Sequence, residues 1–267
     1  MIDCHNHVLE PARFPYAADT PYRPAGQEVA PVEQWLRVMH AHGVRHALLT
    51  GPNSGYGTDN RCLLDAIAQG DGRFKGIAVV PPDVSTRELE GLRLAGCIGV
   101  AFNPALLGVE PYLQTGELCR RLADLDMRLQ IQVQGDQLPA LLPLIERTTV
   151  KLMFDHCGRP IIADGIDRPA FAALCALGRS GRAQIKLSGF YKFSERPHPY
   201  ADVVPFVRAL VAAFGLDNCV WGSDWPFLRA PARLDYGPLL DHVAVLFPAE
   251  ADRQKLLWDT PRRLFGF

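Results

Sequence analysis

The chain has 267 residues, of which 48% are hydrophobic, and it carries a formal net charge of −1. That length suffices for one large domain, and the near-neutral charge gives no support for a nucleic-acid or membrane-surface partner. No apolar run is long enough for a membrane span, and no signal peptide is visible. The seven cysteines form no CxxC pair, so we expect reduced thiols and a cytoplasmic protein.

Strand and helix signals alternate through the first half of the chain. In order, they predict a strand at 2–8, a helix at 31–43, a strand at 45–51, a helix at 58–70, a strand at 74–82, a helix at 85–96 and a strand at 97–104. The strands are short apolar runs, whereas the helices show the spacing of a single buried face. Ser85 and Glu88 have the spacing of a capping box, which indicates a helix start.

The same alternation continues to the end of the chain. It predicts a helix at 115–126, a strand at 127–134, a helix at 138–148, a strand at 150–160, a helix at 168–180, a strand at 183–189, a helix at 201–215 and a strand at 218–226. Eight strands, each followed by a helical segment, are typical of an α/β protein with the (β/α)8 TIM barrel fold. We therefore predict one domain over 1–267. An open doubly wound sheet is the alternative, but no Gly-x-Gly-x-x-Gly follows the first strand.

Polar residues concentrate where the predicted strands end, which is where barrel enzymes carry their active sites. His5 and His7 lie two apart on the first strand, so their side chains face the same side. The eighth strand neighbours the first in a closed barrel, so Asp224 can face both histidines. A single strand histidine is most often only hydrogen-bonded, but His156 adds a third at another strand end. Together these four residues predict a catalytic site.

Other polar residues near the strand ends are candidates for substrate contacts. Gln130, Gln132 and Gln134 share one face of the fifth strand, where they either contact a ligand or fill the barrel. Lys186 on the seventh strand either lies near the substrate or points outwards. The remaining histidines, which lie outside the strand ends, have no such context.

Three segments together carry a resemblance to a known family. DCHNHV at 3–8, FDHCGRP at 154–160 and WGSDWP at 221–226 resemble the amidohydrolase superfamily. The resemblance is to its amidohydrolase-2 branch, which includes 2-pyrone-4,6-dicarboxylate lactonase and sugar lactonases. An HxH motif alone is weak, but the three motifs in this order are specific.

The resemblance implies a barrel hydrolase that opens a small organic-acid or sugar lactone. It implies that Asp224 takes a proton from the attacking water and that His156, with His5 and His7, polarises the substrate carbonyl. The expected substrate-binding residues are Ser54, Asn103, Gln132, Arg159, Lys186 and Tyr191. A decarboxylase or a lactone isomerase on the same barrel is the alternative.

The resemblance also bears on cofactors and substrate charge. His5, His7 and Asp224 could bind zinc, but strands 4 and 5 lack the lysine, glutamate or histidine that metal-dependent members add, so no metal is expected to be required. Ala101 replaces an arginine of the lactonase pattern, which puts a dicarboxylate substrate in doubt.

Arg61, Lys192 or Arg196 could restore the positive charge that Ala101 removes. The expected partner is a small-molecule substrate, with no nucleic acid and no membrane, and a homo-oligomer is compatible with the sequence.

Overall fold

The computed structural model describes all residues from 1 to 267 and contains one parallel eight-stranded sheet. Its strands pair in chain order. They are β1 (Ile2–Asn6), β2 (His46–Thr50), β3 (Phe74–Ala78), β4 (Cys97–Phe102), β5 (Arg128–Ile131), β6 (Lys151–Phe154), β7 (Ala183–Leu187) and β8 (Cys219–Trp221). The end of β8 lies against β1, so the sheet closes into the predicted (β/α)8 barrel.

Helices surround the barrel and connect its strands. They are α1 (Val32–Ala41), α2 (Asn53–Tyr56), α3 (Arg61–Gln69), α4 (Thr86–Leu94), α5 (Pro104–Leu107), α6 (Gly116–Asp124), α7 (Leu138–Glu146), α8 (Pro169–Arg179), α9 (Val204–Phe214), α10 (Tyr236–Leu246), α11 (Glu250–Gln254) and α12 (Thr260–Phe265). The Ser85–Glu88 capping box predicted for α4 is present. None of the helices combines the length and apolar character needed to cross a lipid bilayer.

The observed strands are shorter at their carboxyl ends than the sequence predicts. The sixth strand ends at Phe154 rather than at 160, and the eighth ends at Trp221 rather than at 226. His156 and Asp224, which follow them, have φ values of 49° and 63°. An extended strand cannot contain such left-handed residues, so the chain leaves the sheet where the polar motifs begin.

A register irregularity in β1 changes which side chains face the barrel interior. The pairing with β2 shifts between Asp3 and Asn6. Cys4 packs in the inner apolar cluster with Leu48 and Met153, yet the next side chain, His5, also contacts interior groups. The irregularity breaks the usual alternation and allows consecutive residues to face inwards.

The junction between β8 and β1 is held by hydrogen bonds from the catalytic candidates themselves. The Asp224 amide donates to the His5 carbonyl and the His7 amide donates to the Trp225 carbonyl, both at 2.8 Å. The buried Asp3 carboxylate accepts from the amides of His5 and Ser223, each at 3.1 Å. These bonds fix the relative position of the two strand ends.

The close approach at this junction requires glycine at position 222. An alanine Cβ there would lie 2.6 Å from the His5 Cβ and 2.7 Å from the His5 backbone nitrogen. We expect Gly222→Ala to lower the free energy of unfolding by about 2 kcal/mol, because relief requires the two strands to separate. Urea unfolding measures this change.

Gly91→Ala is the matched control for that prediction. Gly91 lies exposed in α4 with nothing within 4 Å of an added Cβ. Alanine is the better helix former, so we expect stability that is unchanged or higher by up to about 1 kcal/mol. Equal stability of Gly222→Ala and the unchanged protein would contradict the steric role of Gly222.

Candidate active site

A polar cavity of about 450 Å³ opens at the carboxyl ends of the strands. The predicted site residues that line it are His7, Ser54, Asn103, Gln132, His156, Arg159, Tyr191 and Asp224. His5 and Lys186 do not line it and are completely buried. The structure therefore brings most of the predicted residues to one cavity, with two of them beneath it.

One carboxylate oxygen of Asp224 is the point on which the histidines converge. Its Oδ1 lies 3.5 Å from His7 Nε2, 3.6 Å from His5 Nε2 and 3.8 Å from His156 Nε2. Oδ1 itself and the Nε2 atoms of His5 and His156 are buried and make no hydrogen bond. Buried polar atoms without partners are costly, so this cluster is suited to a polar ligand.

The other oxygen of Asp224 is fully engaged. Oδ2 accepts a hydrogen bond from the Tyr191 hydroxyl at 2.6 Å and lies 3.0 Å from the Lys192 ammonium. Burial raises the pKa of Asp224, but the Lys192 ammonium opposes it most strongly, and the pKa is held well below its usual range. Burial and the Asp224 charge raise the pKa of Tyr191. Asp224 is therefore a carboxylate and Tyr191 a neutral phenol at neutral pH.

A charged network lies beneath the cavity and was not predicted. Lys186 Nζ donates to Gln130 Oε1 at 2.6 Å and lies 3.2 Å from Asp155 Oδ1. It also lies 3.0 Å from His5 Nδ1. Burial raises the pKa of Asp155, but the Lys186 ammonium opposes it most strongly, and that pKa is lowered. These contacts occupy the Lys186 ammonium, so we do not retain Lys186 as a substrate-binding residue.

His5 stays neutral at neutral pH because of the same surroundings. Burial and the nearby Lys186 charge lower the pKa of His5 to about 4, although Asp155 and Asp224 oppose them. Burial likewise lowers the pKa of His156 well below its usual range.

The other two histidines are oriented by their Nδ1 atoms. His7 Nδ1 lies 2.7 Å from the Thr50 carbonyl oxygen. A carbonyl can only accept, so Nδ1 carries a proton, and Nε2 is the ring nitrogen that faces Asp224. His156 Nδ1 lies 3.0 Å from the Ser188 hydroxyl. Gly189 packs beside this ring, where an added Cβ would lie 2.4 Å from His156 Nδ1.

The three glutamines of the fifth strand do not act as one set. Gln130 is fully buried and donates to Asp155 Oδ2 at 2.8 Å. Gln132 is half-buried and Gln134 is exposed, and both lie beyond the end of β5. All three reach the cavity lining, but only Gln130 belongs to the charged network.

The cavity wall carries more positive than negative charge. Arg159, Lys192 and Arg229 line it, and the Arg159 Nε atom is buried without a partner. Arg61 is exposed and paired with Asp59 at 2.7 Å, away from the cavity. Arg196 is also exposed and outside the lining. Of the three cations that could replace an arginine at position 101, only Lys192 lies at the site.

Comparison with known proteins decides the family. The sequence profile described as amidohydrolase matches residues 2–267. The chain belongs to the amidohydrolase family. This match confirms the family that the three motifs indicated.

Individual amidohydrolases show what this chain is similar to. The 4-sulfomuconolactone hydrolase of Rhizobium radiobacter is 37% identical over 275 residues, which cover 99% of this chain and 89% of that protein. The 2-pyrone-4,6-dicarboxylate hydrolase of Comamonas testosteroni is 29% identical over 277 residues, with 99% and 89% covered.

A solved structure of a related hydrolase is similar to this chain over its whole length. The crystal structure of a probable 2-pyrone-4,6-dicarboxylic acid hydrolase from Acinetobacter baumannii, with citric acid bound, superposes with a TM-score of 0.86. It is 26% identical and covers 100% of this chain and 99% of that chain. These three relatives are named as lactone hydrolases.

Amidohydrolases often bind metal, and a candidate His/Asp metal site is present here. The ligand atoms of His5, His7 and Asp224 lie within 4.8 Å of one another, and these are ligand types that zinc accepts. The surrounding charge does not fit a divalent cation, because Lys192 lies 3.0 Å from Asp224 Oδ2 and Lys186 lies 3.0 Å from His5 Nδ1. The donor types suit zinc, whereas two adjacent ammonium groups oppose it.

Replacing Lys192 tests the electrostatics around Asp224. Removal of the ammonium in Lys192→Met should raise the pKa of Asp224 by about one unit or more. Activity that needs the carboxylate falls as pH drops through this pKa, so the acid limb of kcat/KM should move to higher pH. The pH dependence of kcat/KM for both proteins measures the shift.

Lys151→Met is the control for charge removal. Lys151 pairs with Asp126 outside the cavity, at the start of β6, so we expect its acid limb to match that of the unchanged protein. An acid limb that does not move in Lys192→Met would contradict the role assigned to this ion pair.

Proposed function

We propose that this amidohydrolase opens a small lactone that carries an acidic substituent. One observation carries the proposal: the unpartnered Oδ1 of Asp224 faces His7 and His156 at the floor of a cavity with a cationic wall. The substrate is the small-molecule partner that we propose for this chain.

The attacking water is held between two acceptors. Asp224 Oδ1 and His7 Nε2 lie 3.5 Å apart, and both present lone pairs to the cavity. A water there donates one hydrogen to each and keeps its oxygen lone pair for the lactone carbonyl carbon. Asp224 acts as the general base and takes the proton as the carbon–oxygen bond forms.

His156 is placed to stabilise the developing oxyanion. If the Ser188 hydroxyl donates to Nδ1, the His156 proton lies on Nε2, which is unpartnered and faces the cavity. This N–H donates to the carbonyl oxygen as it gains charge. When the ring carbon–oxygen bond breaks, the departing alkoxide takes the proton from Asp224, and the product is a hydroxy acid.

The positive charges of the cavity wall favour a substrate with an acidic substituent. Arg159 offers a buried unpartnered Nε, and Lys192 and Arg229 lie on the same wall. The two named relatives act on a sulfonated lactone and on a pyrone dicarboxylate, and the solved relative holds citric acid. Because Ala101 replaces the expected arginine, we propose one acidic group rather than two opposite carboxylates.

We further propose that the hydrolysis requires no metal. Lys192 already neutralises Asp224, and Lys186 lies against His5, so two of the three candidate ligands face cations. The mechanism above uses only the side chains of this chain and one water.

The first experiment follows proton release from a panel of muconolactones, pyrone carboxylates and aldonolactones. We expect turnover of an acidic lactone that survives chelation, with metal content measured on the same samples. Asp224→Asn should lower kcat by about a thousandfold or more, because the base is lost. Conversion of one lactone ring into another with no net uptake of water would instead indicate an isomerase, and release of carbon dioxide a decarboxylase.

Arg159→Gln tests recognition of the acidic group. Loss of a charged hydrogen bond costs about 1.5–3 kcal/mol, so KM for the acidic lactone should rise about 10- to 100-fold. The KM for a neutral lactone of the same ring size should change little. Arg61→Gln removes an exposed arginine outside the cavity and is the control; equal effects of the two variants would contradict the role of Arg159.

A further inference from the structure

Lys186 is a buried cation that the proposed mechanism does not use. Its side chain is completely buried in the middle of the barrel, on β7. The groups around its ammonium are Gln130 Oε1 at 2.6 Å, His5 Nδ1 at 3.0 Å and Asp155 Oδ1 at 3.2 Å. A buried ammonium is retained only when all of its hydrogens find acceptors, so these contacts set constraints on their partners.

The constraint falls on the proton of His5. An ammonium has three hydrogens, and the three atoms named above are its acceptors. If His5 Nδ1 carried a proton, one ammonium hydrogen would face another donor and lack an acceptor. His5 Nδ1 must therefore present its lone pair to Lys186.

Asp155 also contacts His5 Nδ1, and as an acceptor it would favour a proton on that nitrogen. Its Oδ1 lies 3.2 Å from His5 Nδ1, which would suit a proton on that nitrogen. Asp155 does not need this bond, because Oδ2 accepts from Gln130 at 2.8 Å and Lys186 neutralises its charge. Lys186 has no other acceptor for its third hydrogen and is also the nearer group.

The opposite side of the ring favours the same assignment. His5 Nε2 lies 3.6 Å from Asp224 Oδ1, and neither atom has a hydrogen-bond partner. With a proton on Nε2, a donor faces a carboxylate and the contact is attractive. With a lone pair there, two acceptors face each other at the same distance, which is repulsive.

We propose that Lys186 is a positioning residue that holds the His5 proton on Nε2, so that this N–H faces the general base Asp224. His5 then steadies the carboxylate from beneath while His7, with its proton on Nδ1, presents a lone pair from the side. The two histidines of the HxH motif thus have opposite tautomers. An Nε2 that carries a proton also cannot ligate a metal through that atom.

The unchanged protein provides the first test. A long-range proton–nitrogen correlation spectrum of uniformly 15N-labelled protein at neutral pH distinguishes protonated from unprotonated ring nitrogens. The His5 signals are assigned by their absence in His5→Gln. We expect His5 Nε2 to carry the proton and Nδ1 to be unprotonated; a proton on Nδ1 overturns the proposal.

A pair of charge-removing variants tests the cause. In Lys186→Met, Asp155 becomes the only charged neighbour of His5 Nδ1, so we expect that nitrogen to gain a proton. Lys192→Met removes the other ammonium near Asp224 and should leave Nδ1 unprotonated. An unprotonated Nδ1 in Lys186→Met would overturn the proposal, and if that variant fails to fold, the spectrum of the unchanged protein decides.

The catalytic consequence rests on the proposed function and is measured separately. Lys186 does not line the cavity, so Lys186→Met should lower kcat about tenfold or more with little change in KM. A kcat that stays unchanged would overturn the positioning role. If no lactone is turned over but the His5 tautomer is as expected, the proposed function fails and the assignment of the proton stands.

Discussion

The pairing of the first and last strands is the constraint on which this site depends. Ser223 and Asp3 are 220 positions apart, yet the Asp3 carboxylate accepts the Ser223 amide. The next amide along, that of Asp224, donates to the His5 carbonyl. Barrel closure and site assembly are therefore the same event, because the backbone bonds that close the sheet carry the base and the histidines.

Charge inside the barrel is organised around two cations. Lys186 lies beneath the site and compensates Asp155, whereas Lys192 lies at its edge and compensates Asp224. Removing one partner from such a buried pair is strongly destabilising, since the remaining charge has no water to solvate it. No residue of β5 or β7 belongs to the inner apolar cluster, and these two strands contribute the buried Gln130 and Lys186 instead. These two polar side chains form the hydrogen-bonded network that lies directly beneath the cavity.

Unusual backbone conformations cluster where β6 and β8 end. Besides His156 and Asp224, the left-handed region contains Cys157 at φ 57° and Arg159 at φ 44°. These conformations cost free energy and persist only where surrounding contacts over-determine them. Here they turn His156, Arg159 and Asp224 from the strand direction into one cavity.

The sequence by itself determined the eight-strand alternation, the family and the residues at the strand ends, because hydrophobic periodicity and short motifs are local properties. It did not reveal that His5 and Lys186 lie beneath the cavity. Nor did it reveal that Asp155 contacts both of them or that Lys192 pairs with Asp224. Those relations depend on the register irregularity in β1 and on the left-handed turns after β6 and β8. They join residues that are distant in the chain, so only the closed barrel decides which charges meet.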